Sequence, residues 1–228
     1  MADMYPDGYV PPILTADSVV FQIVDSKLVV LLIKRSKEPF MGAYALPGGY
    51  IGIGETTSDA TTRVLAAKAG LQTSKLRLIE QLYTFDTVAR DPRGHAVSVT
   101  YMGLGKDLVL VGSATTQSPD FFPVSDLPKL AYDHAAIIHY AYERLQSKLT
   151  YTNAVFALLE PMFTLSQLQS VYEAVLGRPL DKRNFRKKFL SLELIHATSE
   201  YFQDGAHRPA QLYRFNKQEL EALSRSFD

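Results

Sequence analysis

The sequence predicts an α+β fold in two units, on three observations. Between Ile13 and Arg35 lie two apolar runs rich in β-branched residues. A glycine- and proline-rich stretch, Pro39 to Gly54, then leads into a helical pattern at 57–69. After Leu149 the pattern changes to short helices followed by a hairpin.

Each element has a local reason. The runs SVVFQIV and KLVVLLIKR flank Asp25-Ser26, which reads as a hairpin turn. Thr56 or Thr57 can cap the first helix, and Gly70 can end it in the left-handed conformation. Strands are expected near Leu76–Phe85 and Ala96–Leu104. A second helix is expected over Asp133–Leu149, with Ala136, Ile137, Tyr140, Ala141 and Leu145 as its apolar stripe. Beyond it, helical patterns cover Asn153–Leu159, Thr164–Leu176 and Lys182–Leu192. TSEYFQ and AQLYRFN then flank a long turn, and Lys217–Ser226 reads as a short terminal helix. Three helices followed by a hairpin is the order of a winged helix, a relative of the helix-turn-helix. We place the domain division at 149/150.

Composition narrows the function. The chain has 228 residues, 46% of them hydrophobic, and a formal net charge of zero. Nucleic-acid binding therefore depends on clustering of charge rather than on its total. The absence of cysteine excludes disulfides, thiolate zinc sites and a cysteine nucleophile. No apolar run approaches the ~20 residues of a membrane span. The start, MADMYPDGYVPP, lacks a secretory pattern, so the expected location is the cytoplasm.

The strongest motif begins at Tyr44-Ala45-Leu46-Pro47-Gly48-Gly49. Glu55, Arg63, Leu65 and Gly70-Leu71 follow at fixed spacing. The whole resembles the Nudix box, G-x5-E-x7-R-E-U-x-E-E-x-G-U, where U is a bulky aliphatic residue. Its three further acidic positions hold Val64, Ala67 and Lys68. On a helix these lie at i, i+3 and i+4 and share a face. In active Nudix enzymes that face holds divalent cations against a pyrophosphate, and magnesium needs hard oxygen ligands. Valine, alanine and a cation cannot supply them, and Glu55 alone is a weak magnesium site at most. Without metal, both Lewis acidity and activated water are lost. The implied domain is an α/β/α sandwich around a mixed sheet that keeps a pocket but not catalysis, and no metal or cofactor is required. The plainer reading of Gly48, Gly49 and Gly70 is that they only shape turns.

Candidate effector-binding residues are Arg35, Lys37 and Phe40 before the box; Gly48, Gly49, Arg63 and Lys68 within it; and Tyr83, Phe85, Arg90 and Arg93 beyond it. The run FDTVARDPRG is similar to a loop of ADP-ribose-type Nudix proteins. Arginine suits pyrophosphate because its planar fork makes paired hydrogen bonds, and aromatic rings can stack on adenine. Asp91-Pro92-Arg93-Gly94 is in any case a turn, and Phe85 also reads as core. His134 and His139, five apart, do not make a helical metal pair, and His95 and His196 stand alone.

The second unit concentrates charge. Lys182, Arg183, Arg186, Lys187 and Lys188 crowd one helical segment with Asn184, while Phe185, Phe189 and Leu192 fall on the opposite, core-facing side. Arginine and asparagine can read guanine and adenine in a major groove, and Lys182 and Lys188 suit phosphates. Thr164 at a helix start is a candidate phosphate donor, and His207 and Arg208 sit at the presumed wing tip. A solvated basic face is the bland alternative. ALPGG and RDPRG in front, with N-F-R-x-K and RPA-x-LYRF behind, together resemble NrtR, the Nudix-related regulators of NAD metabolism. The resemblance implies a homodimeric repressor that binds operator DNA and is relieved by ADP-ribose. Three other readings remain open: an active ADP-ribose pyrophosphatase, a repressor of the same architecture sensing a sugar or another metabolite, and a module whose basic helix meets an acidic protein.

Overall fold

The computed structural model describes residues 9–110, 118–203 and 209–223. Strands β1 (Ile13–Val24) and β2 (Lys27–Lys34) form an antiparallel hairpin. Asp25 and Ser26 at its turn have φ of 47° and 59°. Both are left-handed, the backbone that lets a two-residue turn follow the right-handed twist of the strands. The glycine-rich stretch, expected as loop, adds two short strands. β3 (Tyr44–Ala45) pairs with β2, and β4 (Gly48–Tyr50) pairs with β1. β5 (Leu78–Phe85) and β6 (Ala96–Leu104) extend the sheet, and β7 (Asp120–Pro123) lies against β2. β1 and β6 run parallel, from Ile13 opposite Ala96 to Phe21 opposite Leu104, so the sheet is mixed.

Helix α1 (Thr57–Ala69) has the predicted bounds. Thr56 Oγ1 accepts from the Asp59 amide at 3.1 Å, and Asp59 Oδ2 accepts in return from the Thr56 amide at 3.2 Å. This capping box satisfies two amides that the first turn leaves unpaired. Gly70 ends the helix at φ 61°, with the Leu71 amide reaching back to the Leu65 carbonyl. Helix α2 (His134–Tyr151) has a longer C-terminus than expected.

Strand periodicity decides what each helix covers, because neighbouring side chains point to opposite faces. Val19, Phe21, Val30 and Leu32 meet Ile137, Ile138, Ala141 and Leu145 of α2, while Val20 and Leu31 meet Leu65, Ala69 and Leu71 at α1. Two helical layers thus enclose the sheet. Each fully buried aliphatic side chain contributes about 1.5–3 kcal/mol.

The second unit starts with a 3-10 helix, Ala154–Leu158, where an α-helix over 153–159 was expected. β8 (Phe163–Thr164), α3 (Leu165–Leu176), α4 (Lys182–Leu190), β9 (Ile195–Phe202) and β10 (Ala210–Phe215) follow. The strands form a small antiparallel sheet in the order β8-β10-β9, which completes a winged helix. Tyr172, Phe185, Phe189 and Phe215 pack as one aromatic core. The terminal helix expected over Lys217–Ser226 is not formed within 217–223. There the chain is held against Asn153, which accepts from the Glu221 amide at 2.9 Å and donates to the Glu219 carbonyl at 3.0 Å. Residues 224–226 of that expectation lie outside the described residues.

The two units share one apolar cluster. Polar ties reinforce the junction. Gln146 donates to the Val175 carbonyl at 3.0 Å, Lys106 meets Glu160 at 3.2 Å, and Arg77 donates to the carbonyl of Leu159. α2 bridges the junction, packing under the sheet at its start and against α3 near its end.

Candidate functional site

The β1–β4 register sets Gly48 opposite Asp17 and Gly49 opposite Ala16. A side chain at 48 would overlap the Asp17 carboxylate, so only glycine lets β4 approach this closely. Beside this strand opens a cavity of about 410 Å³. Six cationic side chains line it, Lys34, Arg35, Lys37, Lys68, Arg90 and Arg93, against three carboxylates, Asp17, Glu38 and Asp91.

The back wall is a buried polar network. Arg90 grips Asp133 through two bonds of 2.8 and 2.9 Å and lies 3.8 Å from Asp17. Asp17 also accepts from Ser98, and its other oxygen faces His134 Nε2 at 4.0 Å. His134 Nδ1 accepts from the Leu46 amide at 2.9 Å, which places the neutral ring's proton on Nε2. Burial pushes the His134 pKa down, so the ring is neutral at physiological pH, while the Asp17 charge pulls the other way.

One side wall is aromatic and cationic. The Arg35 guanidinium lies 4.8 Å from the Tyr132 ring centre, and that of Arg93 lies 5.8 Å from it. Arg93 also donates to Tyr50 Oη at 2.8 Å and is fixed by Asp91 at 2.6 and 2.9 Å. That pairing holds Asp91 below its usual carboxylate value. Tyr132 has φ 55°, and its buried hydroxyl has no hydrogen-bond partner among the described residues. Strain together with an unpaired buried donor is a common mark of a ligand wall.

The floor carries the altered box. Lys68 is half-buried, and its ammonium donates to the Gly48 carbonyl. Burial lowers its pKa most, with Asp17 acting oppositely. Val64 is fully buried and Ala67 is exposed. Glu55 is turned aside. Its carboxylate takes Arg63 at 2.6 and 2.7 Å and the Gly52 amide at 2.8 Å, which hold its pKa at about 2. Among the described residues, no three acidic, histidine or cysteine side chains gather as a metal site.

Of the predicted effector residues, Arg35, Lys37, Gly48, Gly49, Lys68, Arg90 and Arg93 line this cavity. Four do not. Arg63 is paired with Glu55 and the Tyr50 carbonyl. Phe40 packs edge-on against the far side of the wall, 4.9 Å from Tyr132. Tyr83 and Phe85 cluster instead with Tyr140 of α2, at 5.1 and 5.7 Å. Alternation along β5 and the pull of an apolar helix account for that displacement. Asp17, Tyr132 and His134 were not picked out as site residues, because each looks ordinary until the sheet register brings it to the cavity.

The second candidate face is α4. Asp181 caps it by accepting from the Asn184 amide at 2.8 Å. Phe185 and Phe189 are buried, and Lys182, Arg183, Asn184 and Lys187 are exposed. Lys188 is half-buried. Arg186 is also half-buried and donates to Ser166 Oγ at 2.9 Å, which ties α4 to α3. Thr164 is buried, and its hydroxyl accepts from the Gln167 amide at 3.1 Å. That capping role and burial turn it away from the phosphate contact expected of it. His207 and Arg208 lie outside the described residues. No helix of the described residues is long and apolar enough to cross a membrane.

Comparisons with known proteins fit both faces. The NUDIX domain model matches residues 14–143, and the NrtR DNA-binding winged helix domain matches 155–215. Over 226 residues the chain is 31% identical to the ADPR responsive transcriptional repressor NtrR of Acinetobacter baylyi, covering 97% of this chain and 89% of that protein. It is 36% identical over 132 residues to an ADP-ribose pyrophosphatase of Methanocaldococcus jannaschii, covering 57% of this chain and 73% of that one. Shewanella oneidensis NrtR bound to a 27mer DNA superposes with TM-score 0.79 at 32% identity, over 94% of this chain and 99% of the other. The NUDIX domain of the same protein with ADP ribose gives TM-score 0.57 at 35% identity, over 63% and 95%. With both domains matched in this order and a full-length relative above 30% identity, the chain belongs to the NrtR family.

Proposed function

We propose that this protein is a DNA-binding transcriptional repressor of NAD biosynthesis or salvage genes. Its first domain binds ADP-ribose without hydrolysing it, and binding releases the operator. One observation carries the reading: a cationic cavity whose box helix offers no carboxylate to a metal shares a chain with a basic, well-capped helix exposed on a winged helix. The relatives named above, one responsive to ADPR and one bound to DNA and to ADP ribose, support it.

In this reading Arg35, Lys37, Lys68, Arg90 and Arg93, with the Gly48-Gly49 backbone, surround the effector. Arg183, Asn184, Arg186 and Lys187 face the major groove, with Lys182 and Lys188 toward the phosphates. The protein acts in the cytoplasm as a homodimer, whose two-fold symmetry would match the half-site spacing of a palindromic operator. The domain division stays at 149/150. The mechanism is differential affinity: ADP-ribose favours a spacing of the two winged helices that does not fit the operator, and linkage weakens DNA binding.

A mobility shift with DNA from the gene's own upstream and neighbouring promoters, titrated with ADP-ribose and with magnesium, tests it. Release of a specific complex without consumption of ADP-ribose is expected. A complex indifferent to ADP-ribose would discard the effector, and a thermal-shift panel of sugars and nucleotides would then find its replacement. The pyrophosphatase relative favours a second reading, an active hydrolase. Magnesium-dependent turnover with no specific DNA complex would establish it.

A further inference from the structure

The Nudix fold implies divalent metal at the box helix, and the residues present do not fit one. Val64 is buried in the core, Ala67 carries no ligand, and Glu55 is held by Arg63 and Gly52. Among the described residues no alternative cluster replaces them. What stands at the cavity floor instead is a cation. The Lys68 ammonium reaches the cavity from the last turn of α1 and is seated on the Gly48 carbonyl. An ammonium has three donors, so two remain for other acceptors.

We propose that Lys68 replaces the metal: its ammonium is the resident cation that receives the pyrophosphate oxygens, and the cavity binds its ligand with no divalent ion. The inference rests on reading this cavity as a nucleotide-diphosphate site. Three features argue for it. Lys68 is half-buried, where a charge interacts more strongly than in water. Burial lowers its pKa most, Asp17 acts against that and Arg35 and Arg63 with it, and the cavity as a whole holds six cationic side chains against three carboxylates, so an arriving anion meets net positive charge. Gly49 gives access: a side chain there would press on Val64 at 3.0 Å and come within 3.9 Å of Lys68 Nζ, and none is present. An ammonium neutralises a phosphate but cannot deliver an activated water, so the same substitution that keeps affinity removes hydrolysis. The competing role for Lys68 is purely structural, since a lysine in a last turn also complements the helix C-terminus.

The two roles separate by titration calorimetry on the full chain, with inorganic pyrophosphate as one probe and ADP-ribose as the other, each in EDTA and in magnesium. The wild type is expected to bind pyrophosphate in EDTA. Lys68→Gln, which keeps a donor for the Gly48 carbonyl without the charge, is expected to bind it about 10- to 100-fold more weakly, and Lys68→Arg to retain most of the affinity. Wild-type binding that vanishes in EDTA overturns the proposal. So does a folded Lys68→Gln, checked by its thermal midpoint, with undiminished affinity for pyrophosphate. The EDTA result on the wild type stands even if a variant does not fold. Pyrophosphate bound through Lys68 while ADP-ribose is ignored supports this role for Lys68 and removes ADP-ribose as effector. Release of DNA by ADP-ribose only with magnesium present does the reverse.

Discussion

Asp133 stands at the head of α2 and neutralises Arg90, whose side chain is only 5% exposed. Asp133→Ala removes both acceptors, at 2.8 and 2.9 Å, and leaves a buried guanidinium with Asp17 at 3.8 Å as its nearest counter-charge. Breaking a buried ion pair by deleting one partner costs about 3–5 kcal/mol, because the other charge stays uncompensated. Asp133 is 21% exposed and Asp17 remains, so the lower end, about 3 kcal/mol, is expected. With a urea dependence of about 2 kcal/mol/M, the unfolding midpoint falls by about 1.5 M. Arg90→Met in the same chain is expected to restore much of that loss, since removing both charges is often neutral. A single variant that loses under about 1 kcal/mol, or a double variant whose losses simply add, would refute the argument that an unpaired Arg90 is the source.

Three further outcomes are expected. Phe189→Ala removes a fully buried ring packed on Tyr172, Phe185 and Phe215 and lowers stability by about 3–5 kcal/mol, read by denaturant unfolding. Lys182→Ala weakens binding to specific and random DNA alike and reduces the slope of log affinity against log salt by about 0.9 per lost phosphate contact, which a salt titration measures. Glu55 has its pKa lowered from 4.5 to about 2, so its contribution to stability is complete above about pH 4.5 and is lost as pH falls toward 2. The stability difference between wild type and Glu55→Gln, followed by thermal unfolding, should be constant near neutrality and vanish at the acid end.

Local chemistry made most of the fold legible. The α1 bounds follow from Thr56 and Gly70, and the first hairpin from two β-branched runs around Asp25-Ser26. The tail after Lys217 was misread because its helical pattern is overridden by hydrogen bonds to Asn153, a partner far away in sequence. The site divides in the same way. Gly48, Gly49 and Lys68 of the box motif, with Arg90 and Arg93 of the RDPRG turn, were legible because spacing alone relates them, whereas Arg63 of the same box pairs with Glu55 instead. Asp17, Tyr132 and His134 reach the cavity only through the β1–β4 register and the start of α2, which no local pattern encodes. Tyr83 and Phe85 failed for the converse reason: an aromatic residue in a strand looks the same whether it faces a ligand or a helix.

α2 is the element through which the two faces can be coupled. Its first turn carries His134 on the cavity and follows Asp133, the partner of Arg90. Its far end donates from Gln146 to the Val175 carbonyl of α3, and Tyr151 accepts from the Leu223 amide. At 1.5 Å per residue its 18 residues span about 27 Å, so a tilt of a few degrees at the cavity moves the other end by an ångström or more. The shared apolar cluster makes that movement collective, because a close-packed core shifts as a unit rather than deforming locally. The demand on the effector is large. Turning a population from 99:1 to 1:99 needs about 10⁴-fold preference, roughly 5.5 kcal/mol. A ligand that met only the exposed rim of the cavity, at Lys34 and Lys37, has no means of supplying it. One that engages the buried back wall does, since a changed Arg90–Asp133 contact acts directly on the head of α2.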